Sequence, residues 1–208
     1  MLGQEESDER LMTRFRAGDA GAFEALVRRH RAGVFSFLSR LLGDRARAED
    51  LSQETWMKAI AAAPRWEERA RFRTWIFSIA RNLAVDDARR RAFRGTAQPL
   101  DASGRPGDPP PDRWLAADDP PPDRAAAAAL LRPRLEAALA SLPEEQREVF
   151  LLREYAGVPF AEIAAITGTP EPTVKSRMRY ALAALQRKLE ALGVGAGEAV
   201  PDPDGRWP

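Results

Sequence analysis

Residues 95 to 124 hold eight of the chain's 17 prolines, including Pro109 to Pro111 and Pro120 to Pro122, with acidic residues at 101, 108, 112, 118, 119 and 123. Such a stretch has little to bury and few backbone donors, so it predicts an extended or disordered tether rather than part of a core. A chain of 208 residues has room for one ordinary domain or two small ones. The tether decides for two: residues 1–94 and 125–192, followed by a loose tail over 193–208.

Both flanking blocks repeat apolar residues three and four apart, with no sustained alternation, so the predicted class is all-α: two small helical domains joined by a flexible linker. In the first block Leu11, Phe15, Phe23, Leu26, Val27, Val34, Phe35, Leu38 and Leu41 supply a core, and Gly18-Asp19 and Gly43-Asp44 punctuate the helices. A third helix should run from Asp44, its cap, to Ala63, with Pro64 stopping it. A fourth should span Phe72 to Arg94, burying Phe72, Trp75, Ile76, Ile79 and Leu83. In the second block residues 125–140 read as helix, with Pro133 as a kink or break. Ser141-Leu-Pro-Glu144 has the spacing of a capping box opening a helix to about Tyr155.

From Phe160 the spacing of Ala164, Gly168 and Val174 suits a helix-turn-helix: a small residue where two helices approach, a glycine turn and an anchor for the second helix. Thr169 is the expected cap of that second helix, with Pro170 at its first position. Val174, Met178, Ala181, Leu182, Leu185 and Leu189 share its inner face. Lys175, Ser176, Arg179 and Tyr180 share the other, where they can read a major groove or simply be solvated. Arg177 lies at the edge of the apolar stripe, suited to a phosphate or a structural partner.

Net charge is only +1, but from Arg69 to Arg94 eight arginines stand against Asp86 and Asp87, a local basic segment that suits nucleic acid. On the fourth helix Ser78, Arg81, Asn82, Val85 and Arg89 face outward; Asn reads base edges and arginines bind phosphate. Trp66, after Pro64, and Phe77, off the main stripe, are the candidates for exposed rings that stack on unpaired bases. Asp50, Gln53, Glu54 and Met57 share one face of the third helix, while Leu51 and Thr55 turn away. That acidic face suits a basic protein partner, or is simply solvated.

Other classes lack their residues. The chain has no cysteine and a single histidine, His30, so neither a disulfide framework nor a zinc site is expected. The carboxylates Glu49, Asp50, Glu54, Asp86 and Asp87 would have to carry any metal-dependent nuclease, without an accompanying base or nucleophile. No apolar run approaches the roughly 20 residues of a membrane span. The acidic start lacks a signal peptide's basic and apolar regions, which predicts a cytoplasmic chain. A stand-alone regulator that binds duplex DNA through residues 160–189 remains a second reading.

Three stretches, Ala48-Glu-Asp-Leu-Ser-Gln-Glu-Thr-Trp, Phe72-Arg-Thr-Trp-Ile-Phe-Ser-Ile-Ala-Arg-Asn-Leu-Ala-Val-Asp-Asp and Leu142-Pro-Glu-Glu-Gln-Arg-Glu-Val-Phe-Leu-Leu-Arg-Glu, occur in that order. With the helix-turn-helix they resemble the extracytoplasmic-function sigma factors, over about residues 9–192 apart from the linker. The resemblance implies an initiation subunit without catalytic residues, metal, cofactor or small-molecule substrate. Its partners would be the core RNA polymerase, through the clamp helices of the largest subunit and the flap region, promoter DNA, and an anti-sigma factor. It implies that Asp50, Gln53, Glu54 and Met57 contact the clamp. Trp66, Phe77, Ser78, Arg81, Asn82 and Arg89, with the loop from Ala63 to Arg71, would capture the opened minus-10 strand. Pro172, Thr173, Lys175, Ser176, Arg177, Arg179 and Tyr180 would meet the minus-35 duplex. Proline at 172 departs from the family's pattern and removes one N–H available to phosphate.

Overall fold

The computed structural model describes residues 6–67, 71–95 and 133–191. The linker and the tail lie outside the described residues, as does the part of the helix expected over 125–132. Among the described residues every regular element is helical, and the chain divides into two compact units.

The first unit packs four helices. α1 (Asp8–Arg16), α2 (Ala20–Leu42) and α3 (Arg45–Ala62) each begin on a side-chain cap: Ser7 accepts from Arg10 N at 3.3 Å, Asp19 from Ala22 N at 3.3 Å and Asp44 from Arg47 N at 3.0 Å. Each cap satisfies one amide that the first helical turn leaves without a partner. Between α2 and α3 the chain reverses at Gly43, whose φ of 67° is a conformation that a side chain would strain. α3 passes into a 3₁₀ turn, Ala63–Arg65, at the expected Pro64 stop. α4 (Phe72–Gly95) follows.

α4 is seated across the other three helices, and its inner face is wider than the apolar spacing predicts. Phe72, Ile76, Phe77, Ala80, Leu83, Ala84 and Asp87 are all buried, whereas Trp75 and Ile79, expected inside, are only half-buried. Phe77 meets Phe37 edge-on, with centroids 5.5 Å apart, which draws it into the centre of the unit. Phe37 itself is missing from the expected core. Phe35, expected there, is half-buried under the Arg45 guanidinium, 5.3 Å from its ring.

The second unit contains α5 (residues 133–140), α6 (Glu144–Phe150), α7 (Phe160–Thr167) and α8 (Glu171–Ala191). α6 widens into a π turn over Leu151–Tyr155, so the single helix expected there changes its pitch midway. Val149, Phe150, Ile163, Val174, Met178, Ala181, Leu185 and Leu189 form the core, and Leu182 sits at its edge. Gly168, with φ at 63°, makes the expected turn.

Both predicted caps in this unit are replaced. Ser141 is still bound to the preceding helix, its hydroxyl donating to Ala138 O at 2.7 Å, so no capping box forms and Pro143 stands at the helix start. The Thr169 hydroxyl donates to Thr167 O and accepts from Arg177, and Pro170 O instead receives the first amides of α8.

Candidate nucleic-acid and protein interfaces

The outer face of α3 carries the expected group. Asp50 is 69% exposed, Glu54 41% and Met57 71%, with Gln53 exposed beside them. Leu51 and Thr55 are buried, and the Thr55 hydroxyl donates to Leu51 O at 2.7 Å, which keeps the polar group off the core. Glu54 pairs with Lys58 at 3.5 Å and Asp50 with Arg47 at 3.6 Å. Exposed pairs of this kind hold their partners weakly, so both carboxylates are available to an incoming cation. Ile60, 50% exposed one turn beyond Met57, extends the face and was not singled out by the sequence. Acid flanked by exposed apolar side chains is the chemistry of a protein contact rather than of a nucleic-acid one.

On α4, Asn82 is exposed, Arg89 is 78% exposed, and Arg81 and Ser78 are half-buried. The Ser78 hydroxyl donates to Trp75 O at 2.7 Å. Asn82 stands at the lip of an open groove lined by Lys58, Ala61, Ala62, Arg65, Ile79 and Asn82. The opposite wall thus supplies two cations, Lys58 and Arg65, that sequence spacing did not connect to Asn82. They lie on α3 and on the 3₁₀ turn, and only the packing of α3 against α4 brings them together.

The two predicted stacking rings are not at the surface. Trp66 is 3% exposed and Phe77 2%, so neither presents a face to a base in this structure; their aromatic area is used in the core. Residues 68–70 of the expected capture loop lie outside the described residues.

Two carboxylates, the half-buried Asp8 and the buried Asp87, tie helices of the unit together. Asp8 accepts from His30 Nε2 at 2.6 Å and Arg29 Nη1 at 2.9 Å. Asp87, which the sequence left only as part of an acidic cluster, is fully buried and accepts from Arg47 Nε at 3.0 Å and from Nη2 of the same guanidinium. Asp86 is exposed, and among the described residues no group of three His, Cys, Asp or Glu is placed to hold a metal ion. Burial opposes ionisation of Asp8, but His30 and Arg29 outweigh it and keep its carboxyl below the ordinary value. The hydrogen bond from Arg47 does the same for Asp87 against its burial.

A carboxyl with a lowered folded value stabilises the fold fully above its unfolded value and ceases to do so as pH falls through the folded one. The urea midpoint of the chain should therefore hold down to about pH 5, then fall below the ordinary carboxyl value of 3.8. Asp8→Asn should flatten that acid limb, as read from unfolding curves at stepped pH; an unchanged limb would separate Asp8 from it.

In the second unit Pro172, Thr173, Lys175, Arg179 and Tyr180 are exposed along one side of α8, while Ser176 and Arg177 are half-buried. Lys175 pairs with Glu171 at 2.7 Å, and the Ser176 hydroxyl donates to Pro172 O at 2.9 Å. Arg177 turns away from that side. It donates to Glu145 Oε2 at 2.6 Å and to Thr169 Oγ1 at 3.2 Å, tying α6 and the turn to α8. Of its two expected roles the structure displays the structural one.

Residues 26–94 match the family model of sigma-70 region 2, and residues 132–185 that of sigma-70 region 4. Over 179 residues the chain is 37% identical to the ECF RNA polymerase sigma factor SigL of Mycobacterium tuberculosis, covering 86% of this chain and 94% of that one. The chain belongs to the ECF sigma factors of the sigma-70 family. The RNA polymerase sigma-H factor of Pseudomonas aeruginosa is 30% identical over 205 residues, covering 92% of this chain and 98% of that protein. Among solved structures, the sigma factor RpoE of Bartonella quintana, in complex with the anti-sigma factor NepR, is 25% identical with a TM-score of 0.62; the match covers 81% of this chain and 96% of that one. As an ECF sigma factor the chain works with RNA polymerase in promoter-directed initiation, and the first unit carries region 2 and the second region 4. No helix among the described residues is long and apolar enough to cross a membrane.

Proposed function

We propose that the acidic and apolar face of α3, through Asp50, Gln53, Glu54 and Met57, docks on the clamp helices of the polymerase's largest subunit. α4 then captures the opened minus-10 strand at Asn82, with Arg81 and Arg89 on phosphates, and α8 reads the minus-35 duplex near the flap region through Lys175, Arg179 and Tyr180. Residues 1–94 and 125–192 are the working domains, 95–124 the tether toward the RNA exit path, and 193–208 a tail. The observation that carries this reading is the groove whose lining joins exposed Asn82 with Lys58 and Arg65: a side chain suited to base edges in one groove with two cations suited to phosphates. The chain itself contributes no catalytic group, acts in the cytoplasm where the polymerase is, and is held inactive by an anti-sigma factor, as the Bartonella quintana relative is bound by one.

Transcription in vitro, with core polymerase and this chain on genomic fragments, tests the whole reading and yields its promoters. Sequence-specific duplex binding that ignores polymerase would favour a stand-alone regulator instead. Asn82→Ala should impair capture of opened promoter, scored by permanganate reactivity, by about 1–3 kcal/mol while leaving core affinity unchanged; equal losses in both would indicate misfolding. Lys175→Ala or Arg179→Ala should each cost about 1–3 kcal/mol in minus-35-dependent transcription. Unaltered discrimination among minus-35 variants would remove that assignment.

A further inference from the structure

Arg47 belongs to two faces of the region 2 unit at once. Nε and Nη2 of its guanidinium donate to Asp87 Oδ1, the first at 3.0 Å, while Nη1 stands 3.6 Å from Asp50 Oδ2. Asp50 is on the exposed outer face of α3; Asp87 is fully buried on α4, five positions beyond Asn82. The other ion pairs described on that outer face, Arg45–Glu49 and Lys58–Glu54, stay within α3. Arg47 reaches from that face to the helix that carries Asn82.

The two halves of the arrangement are unequal. The pair with Asp50 is exposed and readily exchanged for another cation. Asp87 has no water to turn to, and a buried carboxylate is tolerated only when it is paired. Its Oδ2 accepts no hydrogen bond from the described residues and stands 3.3 Å from Arg91 Nε. How firmly α4 is seated on α3 therefore depends on how completely Arg47 is committed to Asp87. A cation arriving at Asp50 takes Arg47's outer partner and repels its guanidinium toward the inner one.

We propose that Arg47 is a positioning residue through which occupation of the acidic face of α3 tightens the seating of α4, and with it Asn82, for strand capture. This rests on the reading of Asp50 as a polymerase contact. Linkage makes the effect reciprocal: seating α4 on captured strand strengthens the hold on the polymerase.

Amide hydrogen exchange on the full chain, free and saturated with core polymerase, tests it by following amides 83–91 of α4. Core should slow them about fivefold or more in the natural chain. The exposed variant Asp50→Asn releases Arg47 without disturbing the core, so its free form should already exchange at nearly the slowed rate. Asp87→Asn should bind core but show no core-dependent slowing. Slowing in Asp87→Asn equal to that of the natural chain, as direct shielding by polymerase would give, overturns the proposal; so does an unaltered rate in free Asp50→Asn. Whether Asp50 touches polymerase at all is read separately, from the core affinity of the charge-reversed chain.

Discussion

Replacing Asp50 and Glu54 together by arginine is expected to abolish co-purification with core polymerase while leaving helix content and unfolding midpoint nearly unchanged. Asp50 is exposed and Glu54 partly so, and the neighbouring residues that point inward, Leu51 and Thr55, are untouched. The substitutions place like charges beside Arg47 and Lys58, which costs a helix only a few tenths of a kcal/mol for each pair. Across an interface the same reversal turns attraction into repulsion, an effect of several kcal/mol and so a loss of more than about 100-fold in affinity. Anisotropy of the labelled chain titrated with core measures it, and a binding curve unmoved by both reversals would remove α3 from the polymerase contact.

Phe77→Ala should unfold the region 2 unit far more easily, by about 3–5 kcal/mol in urea. The ring is 2% exposed and packed edge-on against Phe37, and no small shift of α4 closes the space it would leave. A ring that stacks on a base gives the opposite pattern, with stability retained and only strand binding lost. The two measurements thus decide between core and interface for a residue whose place off the main stripe made it a candidate for the interface.

The burial of Phe77 marks where the sequence stops being legible. The Asp44 cap, the turns at Gly43 and Gly168, the Pro64 stop and the outward Asn82 follow from local rules, because each depends on residues within one helical turn. The orientation of α4 does not. An apolar stripe is found by counting apolar residues, and it cannot anticipate that Asp87 belongs inside because an arginine forty positions earlier meets it there. Once Asp87 is inside, Phe77 goes in and Ile79 moves to the wall of the Asn82 groove. The same limit bears on the cap at Thr169, whose hydroxyl meets Arg177 from the next helix. Ser141 is a local case: its hydroxyl bonds back to Ala138 O, a competitor to capping within the same few residues.

The first turn of α8 has a consequence for how this protein holds duplex DNA. Pro172 has no amide hydrogen, the Thr173 and Val174 amides are spent on Pro170 O, and Glu171 adds a negative charge at the same end. The main chain there offers a phosphate almost nothing, so the grip must come from side-chain ammonium and guanidinium groups that displace condensed counterions. Minus-35 affinity should therefore be governed by ionic strength, falling by nearly one power of salt concentration for each phosphate those cations neutralise.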